Sequence, residues 1–346
     1  MNLKKIITII SVVLISGLIV YGFILVRQIF SDNTKFSEKE VYVYVPTGST
    51  YEDVKKIIAP YIQNVNRFEM VAGKRNYPEN VKPGRFLFTK GMNSYNLVKS
   101  LRANVPVNLA FNNQERLENF AGRVGSQIEA DSLSLLTSFK DSIFLKENGF
   151  TEENVLAIFI PNTYELYWNT PAEKFRDKMI KEYRNFWNKE RVAKAAKQGL
   201  TPIEATILAS IVHKESVKKD ERPRIAGVYL NRLRLQMPLQ ADPTVIYAIK
   251  KKSNDFNQII KRVFYNDLTM SSPYNTYMNI GLPPGPIAMP DITALEAVLS
   301  PEKNNYIYFC ASVDHFGYHE FAATLGEHNK NAKKYSDWIN SQGVKR

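Results

Sequence analysis

Apolar positions fall into three kinds of run along this chain. The first is continuous. Ile6–Val26 carries no charged residue over 21 positions. As a helix it would rise about 30 Å, the thickness of a hydrocarbon core. Lys4 and Lys5 precede it, and Arg27 and Lys35 lie beyond it. A cleaved signal peptide is the competing reading, but its apolar region runs only about 7–15 residues before a small-residue cleavage site. This run is longer, and no A-x-A follows it. The pattern predicts an uncleaved transmembrane anchor. Residues 1–5 would then be cytoplasmic, and the bulk of the chain would lie outside, on the cytoplasmic (inner) membrane with a single pass.

The second kind of run alternates, as strands do. After a polar linker at Ser31–Glu40, Val41–Val45 alternates and runs into Pro46-Thr47-Gly48. A helix is expected from Ser49 or Thr50 to Ile58, with Ser49 and Glu52 as a capping box. Arg85–Phe88 is a second strand, followed by a helix over Ser94–Leu101. Val105–Phe111 is a third, followed by a helix from Gln114 to about Val124. Unequal spacings exclude a solenoid of fixed period. An ordinary α+β domain explains the pattern equally well.

The third kind has helical spacing. Residues 125–200 read as largely helical, with a break at Ile158–Pro161. Phe159, Tyr164, Tyr167, Trp168, Phe175, Tyr183, Phe186 and Trp187 crowd this stretch. Such rings either fill a core or line a sugar groove. Asn188–Lys197 is basic and reads as a solvated face. Beyond it, Thr201 and Pro202 open a helix with a stripe of Ile203, Ile207, Leu208, Ile211 and Val212. A second helix spans Arg222 to Leu235. Asp242 is expected to cap a short helix starting at Pro243 rather than to serve as a second catalyst; set across a cleft from the catalytic group, it would make hydrolysis possible. Thr293–Leu299 is a further helix. Tyr306–Ala311 reads as a buried strand that turns through Gly317 into Tyr318–Ala322. The fold class is α+β.

Composition narrows the chemistry. The 346 residues hold 46 Lys+Arg against 34 Asp+Glu, a formal charge of +12. That excess suggests an anionic partner. With the bulk outside the cell, nucleic acid drops out, and a bilayer surface or cell-wall polymer remains. One cysteine, Cys310, excludes an internal disulfide framework and any multi-cysteine metal site. Neither a Walker A loop nor G-x-G-x-x-G occurs, and no cofactor is expected.

Glu215 is the leading chemical candidate. It follows an apolar helical stretch, where desolvation would keep its carboxyl protonated and able to act as a general acid. A surface carboxylate at a helix end is the plain alternative. Lys214 would oppose the effect only if it faced the same way. His315, His319 and His328, with Glu320 as base, could form a rival metal site, although the spacing is not that of HExxH and ordinary hydrogen-bonded histidines explain them as well.

Several longer motifs occur together. Ile207–Ser216 (ILASIVHKES) resembles the helix of the endolytic murein transglycosylases that carries K-E-[T/S]. Val228–Leu233, Met237–Tyr247, Tyr274–Tyr277, Gly281–Ile287 and His328–Lys330 continue the likeness in the same order. Pro161–Tyr164 and Pro83–Phe86 extend it upstream. The likeness covers essentially the whole chain. One departure is His213, where many members have an acidic residue.

The resemblance implies a membrane-anchored enzyme that cuts inside peptidoglycan strands. It implies a cytoplasmic flank at 1–5, an anchor at 6–26, a linker at 27–40 and a LysM-like domain at 41–105. A connecting region at 106–200 and a catalytic domain at 201–346 follow. The family's catalytic glutamate carries over to Glu215. One carboxylate would then serve as acid and base, leaving a 1,6-anhydro-MurNAc end without water. Gln240, Tyr274, Asn275, Tyr277 and Ser216 are expected glycan contacts, and no metal is implied. Peptidoglycan strands and the membrane are the expected partners, with peptidoglycan synthases implied beside nascent strands whose length the enzyme would limit. A catalytically dead peptidoglycan-binding scaffold is the alternative.

Overall fold

A computed structural model describes residues 3–342. Residues 1 and 2 of the expected cytoplasmic flank, and 343–346 at the other end, lie outside the described residues. The chain gathers into two compact units. One comprises the residues as far as Leu109, with Gln127–Glu129 and Tyr164–Pro171. The other comprises Ala110–Ser126, Ala130–Thr163 and the residues from Ala172 onward.

The first unit begins with helix α1 (Leu3–Phe30). By length and composition it is able to cross a membrane. Strand β1 (Glu40–Val45) leads into α2 (Tyr51–Ile58), α3 (Val65–Lys74), strand β2 (Gly84–Thr89) and α4 (Ser94–Ser100). β1 and β2 pair antiparallel, Glu40 opposite Thr89 and Val45 opposite Gly84. Alternation puts Val43, Val45, Phe86 and Phe88 on one face, where they pack with Val54, Ile58, Phe68, Tyr77 and Leu97. The capping box at α2 is Thr50 with Asp53, one residue later than the pattern suggested. The Thr50 hydroxyl accepts from Asp53 N, and Asp53 Oδ2 accepts from Thr50 N at 3.0 Å. Ser49 instead closes the preceding turn, its N–H donating to Pro46 O at 3.1 Å.

Next come β3 (Val107–Phe111), α5 (Leu117–Gly125), α6 (Ser132–Phe139), α7 (Ser142–Asn148), β4 (Asn162–Leu166), α8 (Ala172–Phe186) and α9 (Lys189–Lys197). β4 is a strand the sequence pattern did not reveal, because its residues are mostly polar and exposed. In the second unit Phe120, Phe139, Phe159 and Phe175 are buried, with ring centroids 4.4–6.1 Å apart. Tyr183 and Trp187 are buried as well. These rings are core, so they are not available to stack on a sugar.

The second unit continues with α10 (Pro202–Glu215), α11 (Arg222–Arg234), α12 (Asp242–Ser253), α13 (Tyr265–Leu268) and α14 (Ile292–Leu299). Strands β5 (Tyr308–Ala311) and β6 (His319–Ala322) follow, then α15 (Leu325–Ser341). α10 is the central helix. Thr201 caps it, Glu204 completes the box, and Pro202 sits where no intrahelical donor is needed. All eight residues from Ala205 to Val212 are buried, so both faces are covered, chiefly by α11 and α14. Burying Leu208, Ile211 and Val212 stabilises the unit by about 1.5–3 kcal/mol each. β5 and β6 form an antiparallel hairpin, Tyr308 opposite Ala322 and Ala311 opposite His319.

Candidate active site

The buried stem of α10 delivers Glu215 to its last helical position. Ser216 then leaves the helix with extended backbone. The exit is fixed by Arg222, 3 % exposed, whose Nε donates to Ser216 O at 3.0 Å. The same guanidinium donates to both oxygens of Asp291 at 2.8 Å. His213 Nδ1 lies 3.3 Å from Asp291 Oδ2. Burial works against the Asp291 charge, yet bonds from His213, Arg222 and Thr293 hold its pKa far below the usual carboxylate range. His213 therefore belongs to this bracing cluster and faces away from Glu215. Lys214 also turns away, donating to Glu115 Oε1 at 2.6 Å.

Glu215 opens into a cavity of about 210 Å³. Tyr229 and Arg232 of α11, Leu239, Gln240 and Asp242 line it with Tyr277, Phe309, Cys310, Ala311 and His319. Part of the Glu215 surface meets this cavity, while protein encloses the carboxyl on its other sides. That burial is the main reason its pKa is pushed up to about 7. The negative charge of Asp242 adds to the rise, while the Tyr229 hydroxyl, His319 and Arg232 act downward. The carbonyl end of the α10 dipole also disfavours a negative charge at this position.

The Tyr229 hydroxyl donates to Glu215 Oε1 at 2.5 Å. Burial and the neighbouring carboxylate hold its pKa well above 10, so it stays a donor. Arg232 works as a clamp. Its Nε donates to Ile307 O at 2.6 Å, and its Nη1 to Leu239 O at 2.9 Å and Gln240 Oε1 at 3.2 Å. With the Gln240 carbonyl held in this way, its amide N–H₂ is left for a ligand. Gln240 itself adopts φ 53°, a left-handed conformation that costs a non-glycine residue energy and recurs at functional sites. Its N–H donates to Thr276 O at 3.1 Å, and the N–H of Ala241 donates to Thr276 Oγ1 at 3.0 Å.

Of the residues singled out from the sequence, Glu215, Gln240 and Tyr277 meet in this cavity. Three others lie behind it. Ser216 is buried and donates to Glu221 Oε2 at 3.1 Å. Asn275 is buried and donates to Leu268 O and Met270 O, while its Oδ1 accepts from Tyr277 N at 3.0 Å. Tyr274 is buried, with its hydroxyl donating to Glu153 Oε2 at 2.7 Å. Asn275 thus braces the loop that presents Tyr277.

Asp242 does not cap α12. Ala241 holds the cap position, and Asp242 is the first helical residue. Its Oδ1 instead accepts from the Tyr277 hydroxyl at 2.6 Å. The histidines take separate partners. His319 Nδ1 lies 2.9 Å from Glu221 Oε2, and His328 stacks on Tyr308 with centroids 5.1 Å apart. Glu320 accepts from the Ser312 hydroxyl at 2.6 Å. Among the described residues no group of three or more His, Cys, Asp or Glu could hold a metal ion. A second cavity, of about 260 Å³, includes Glu115, Glu153 and Lys251 in its wall. In that wall Glu115 pairs with Lys214 and Lys250, and Glu153 with Lys251.

The model of the YceG-like family matches residues 43–334. The chain belongs to the YceG-like family. The endolytic murein transglycosylase of Bacillus subtilis is 29% identical over 344 residues, covering 93% of this chain and 91% of that protein. The Streptococcus pneumoniae serotype 2 protein of the same name is 27% identical over 332 residues. That match covers 86% of this chain, which spans 59% of the longer pneumococcal protein. A crystal structure of a yceG-like protein from Listeria monocytogenes superposes with a TM-score of 0.53 at 29% identity. It covers 85% of this chain and 99% of that one.

The YceG-like match takes in every residue lining the Glu215 cavity. Sequence reasoning passed over Tyr229 and Arg232 as site residues. Their spacing of three along a helix was the available signal, since it puts both on one face. His319 did not stand out as a neighbour of Glu215, because nothing local in the sequence brings it there.

Proposed function

We propose that this chain is a lytic transglycosylase that cuts within peptidoglycan strands, with Glu215 as both acid and base. One observation carries the reading. A carboxyl whose pKa is pushed up to about 7 opens into a polar cavity, with a hydroxyl donor fixed on one oxygen. Near neutral pH it exists as acid and as base in comparable amounts, which suits a group that must give and then take a proton. The curated relatives named endolytic murein transglycosylase support the reading.

Glu215 protonates the oxygen between MurNAc C1 and GlcNAc. The C1–O bond breaks, its electron pair going to that oxygen. The ionised Glu215 then takes the proton of the MurNAc C6 hydroxyl as O6 bonds to C1. The product is a 1,6-anhydro-MurNAc end, and no water is consumed. Proximity favours the internal hydroxyl over solvent. The Gln240 amide and the Tyr277 ring are placed to contact the sugar.

α1 serves as a single-pass anchor in the cytoplasmic membrane, N-terminus inside, with the enzyme on the outer side. The β1-α2-α3-β2 order of the first unit supports a LysM-like, glycan-holding module. Cutting nascent strands beside a synthase would limit their length. The test is mass spectrometry of glycan strands digested by the full-length protein and by Glu215→Gln. Anhydro-ended muropeptides from the first and none from the second are expected. Water-ended products, or an active Glu215→Gln, would overturn the reading.

A further inference from the structure

We propose that Asp242 is a second catalytic carboxylate of this site, an anion set to face the cationic anomeric carbon formed as Glu215 releases its proton. The inference rests on the transglycosylase reading and adds a residue to it. Asp242 and Glu215 line the same cavity from different helices, α12 and α10. An aspartate at the start of a helix ordinarily caps it, and this one makes no cap. Its Oδ1 accepts from the Tyr277 hydroxyl at 2.6 Å. No bond holds Oδ2 to the protein among the described residues, and the side chain is exposed to the cavity it lines.

The mounting is stiff. Ala241 N–H donates to Thr276 Oγ1, Thr244 Oγ1 donates to Ala241 O at 2.7 Å, and the two threonine hydroxyls lie 2.8 Å apart. Tyr277 is fixed in turn through its N–H on Asn275 Oδ1. Backbone strain at Gln240 adjoins this segment. Burial and the Asp242 charge hold the Tyr277 pKa well above 10, so its hydroxyl remains a donor. A rigid anion of this kind needs no rearrangement when positive charge develops at C1 and the ring oxygen. Asp242 forms no bond in the step. The proton leaves Glu215 for the departing oxygen and returns from O6, so the balance is unchanged.

The titratable groups facing Glu215 are Tyr229 and Arg232 from α11, Cys310 from β5, His319 from β6, Asp242 from α12 and Tyr277 from a loop. Asp242 is the one anion among them. The test compares full-length Asp242→Asn, Asp242→Glu and Tyr277→Phe in detergent, on purified glycan strands, with Glu215→Gln as control. Asn keeps an oxygen to accept from Tyr277, so an unchanged melting temperature is expected. Asp242→Asn should lower kcat about 100-fold, the loss typical of one electrostatic group, with KM within about twofold. The alkaline limb of its kcat profile should move to lower pH, because a charge that raises the Glu215 pKa has gone. Asp242→Glu should recover part of the rate, and Tyr277→Phe, which keeps the charge, should leave the limb in place. Wild-type kcat or an unmoved limb in Asp242→Asn overturns the inference. An active Glu215→Gln overturns the transglycosylase reading instead.

Discussion

Replacing Glu215 by Gln should change how stability depends on pH. The folded carboxyl has a pKa of about 7, against an ordinary value of 4.5. Folding therefore favours the protonated form. The stability linked to this group is complete below pH 4.5 and is lost as pH rises through 7. A gap of about 2.5 pH units corresponds to about 3 kcal/mol at 1.36 kcal/mol per unit. Of this, about 2.5 kcal/mol should develop between pH 5 and pH 8. Gln has nearly the same shape, still accepts from Tyr229 and does not titrate. The assay is urea unfolding of both full-length proteins in detergent at several pH values in that window. Taking the difference at each pH cancels every other titrating group. Glu215→Gln should gain about 2.5 kcal/mol relative to wild type between pH 5 and pH 8. Parallel stability profiles would refute the claim that burial raises this carboxyl.

Two further substitutions probe its neighbours. Tyr229→Phe removes a donor that favours ionised Glu215, so the alkaline limb of kcat should move up by about one pH unit, as expected for losing a charge-assisted hydrogen bond of about 1.5 kcal/mol. An unmoved limb in a pH–rate series would show that this bond does not bear on the proton. Arg232→Lys loses the planar fork that holds three main-chain carbonyls and the Gln240 side chain. It should destabilise the protein by about 2–3 kcal/mol and raise KM more than it lowers kcat, as read from unfolding curves and steady-state kinetics.

The sequence by itself determined the helices and the leading residue. α10 was legible because Thr201 and Pro202 are local start signals and the apolar residues after them recur at helical spacing. Glu215 was legible because it ends that run. β1 and β2 were legible from alternation. The tertiary structure decided what surrounds Glu215. Tyr229, Asp242, Tyr277 and His319 come from α11, α12, a loop and β6, separated from Glu215 by 14 to 104 positions. No periodicity encodes such distances. The direction of a side chain was equally out of reach. Asp242 sits at a helix start, where a cap is the local expectation, yet Tyr277, thirty-five residues later, takes its carboxylate. Tyr274, Asn275 and Ser216 share motifs with site residues but turn to Glu153, to loop carbonyls and to Glu221. Burial of the Glu215 carboxyl is likewise a property of the packed surroundings. It makes an ordinary glutamate an acid near neutral pH, because a charge is costly where water has been displaced.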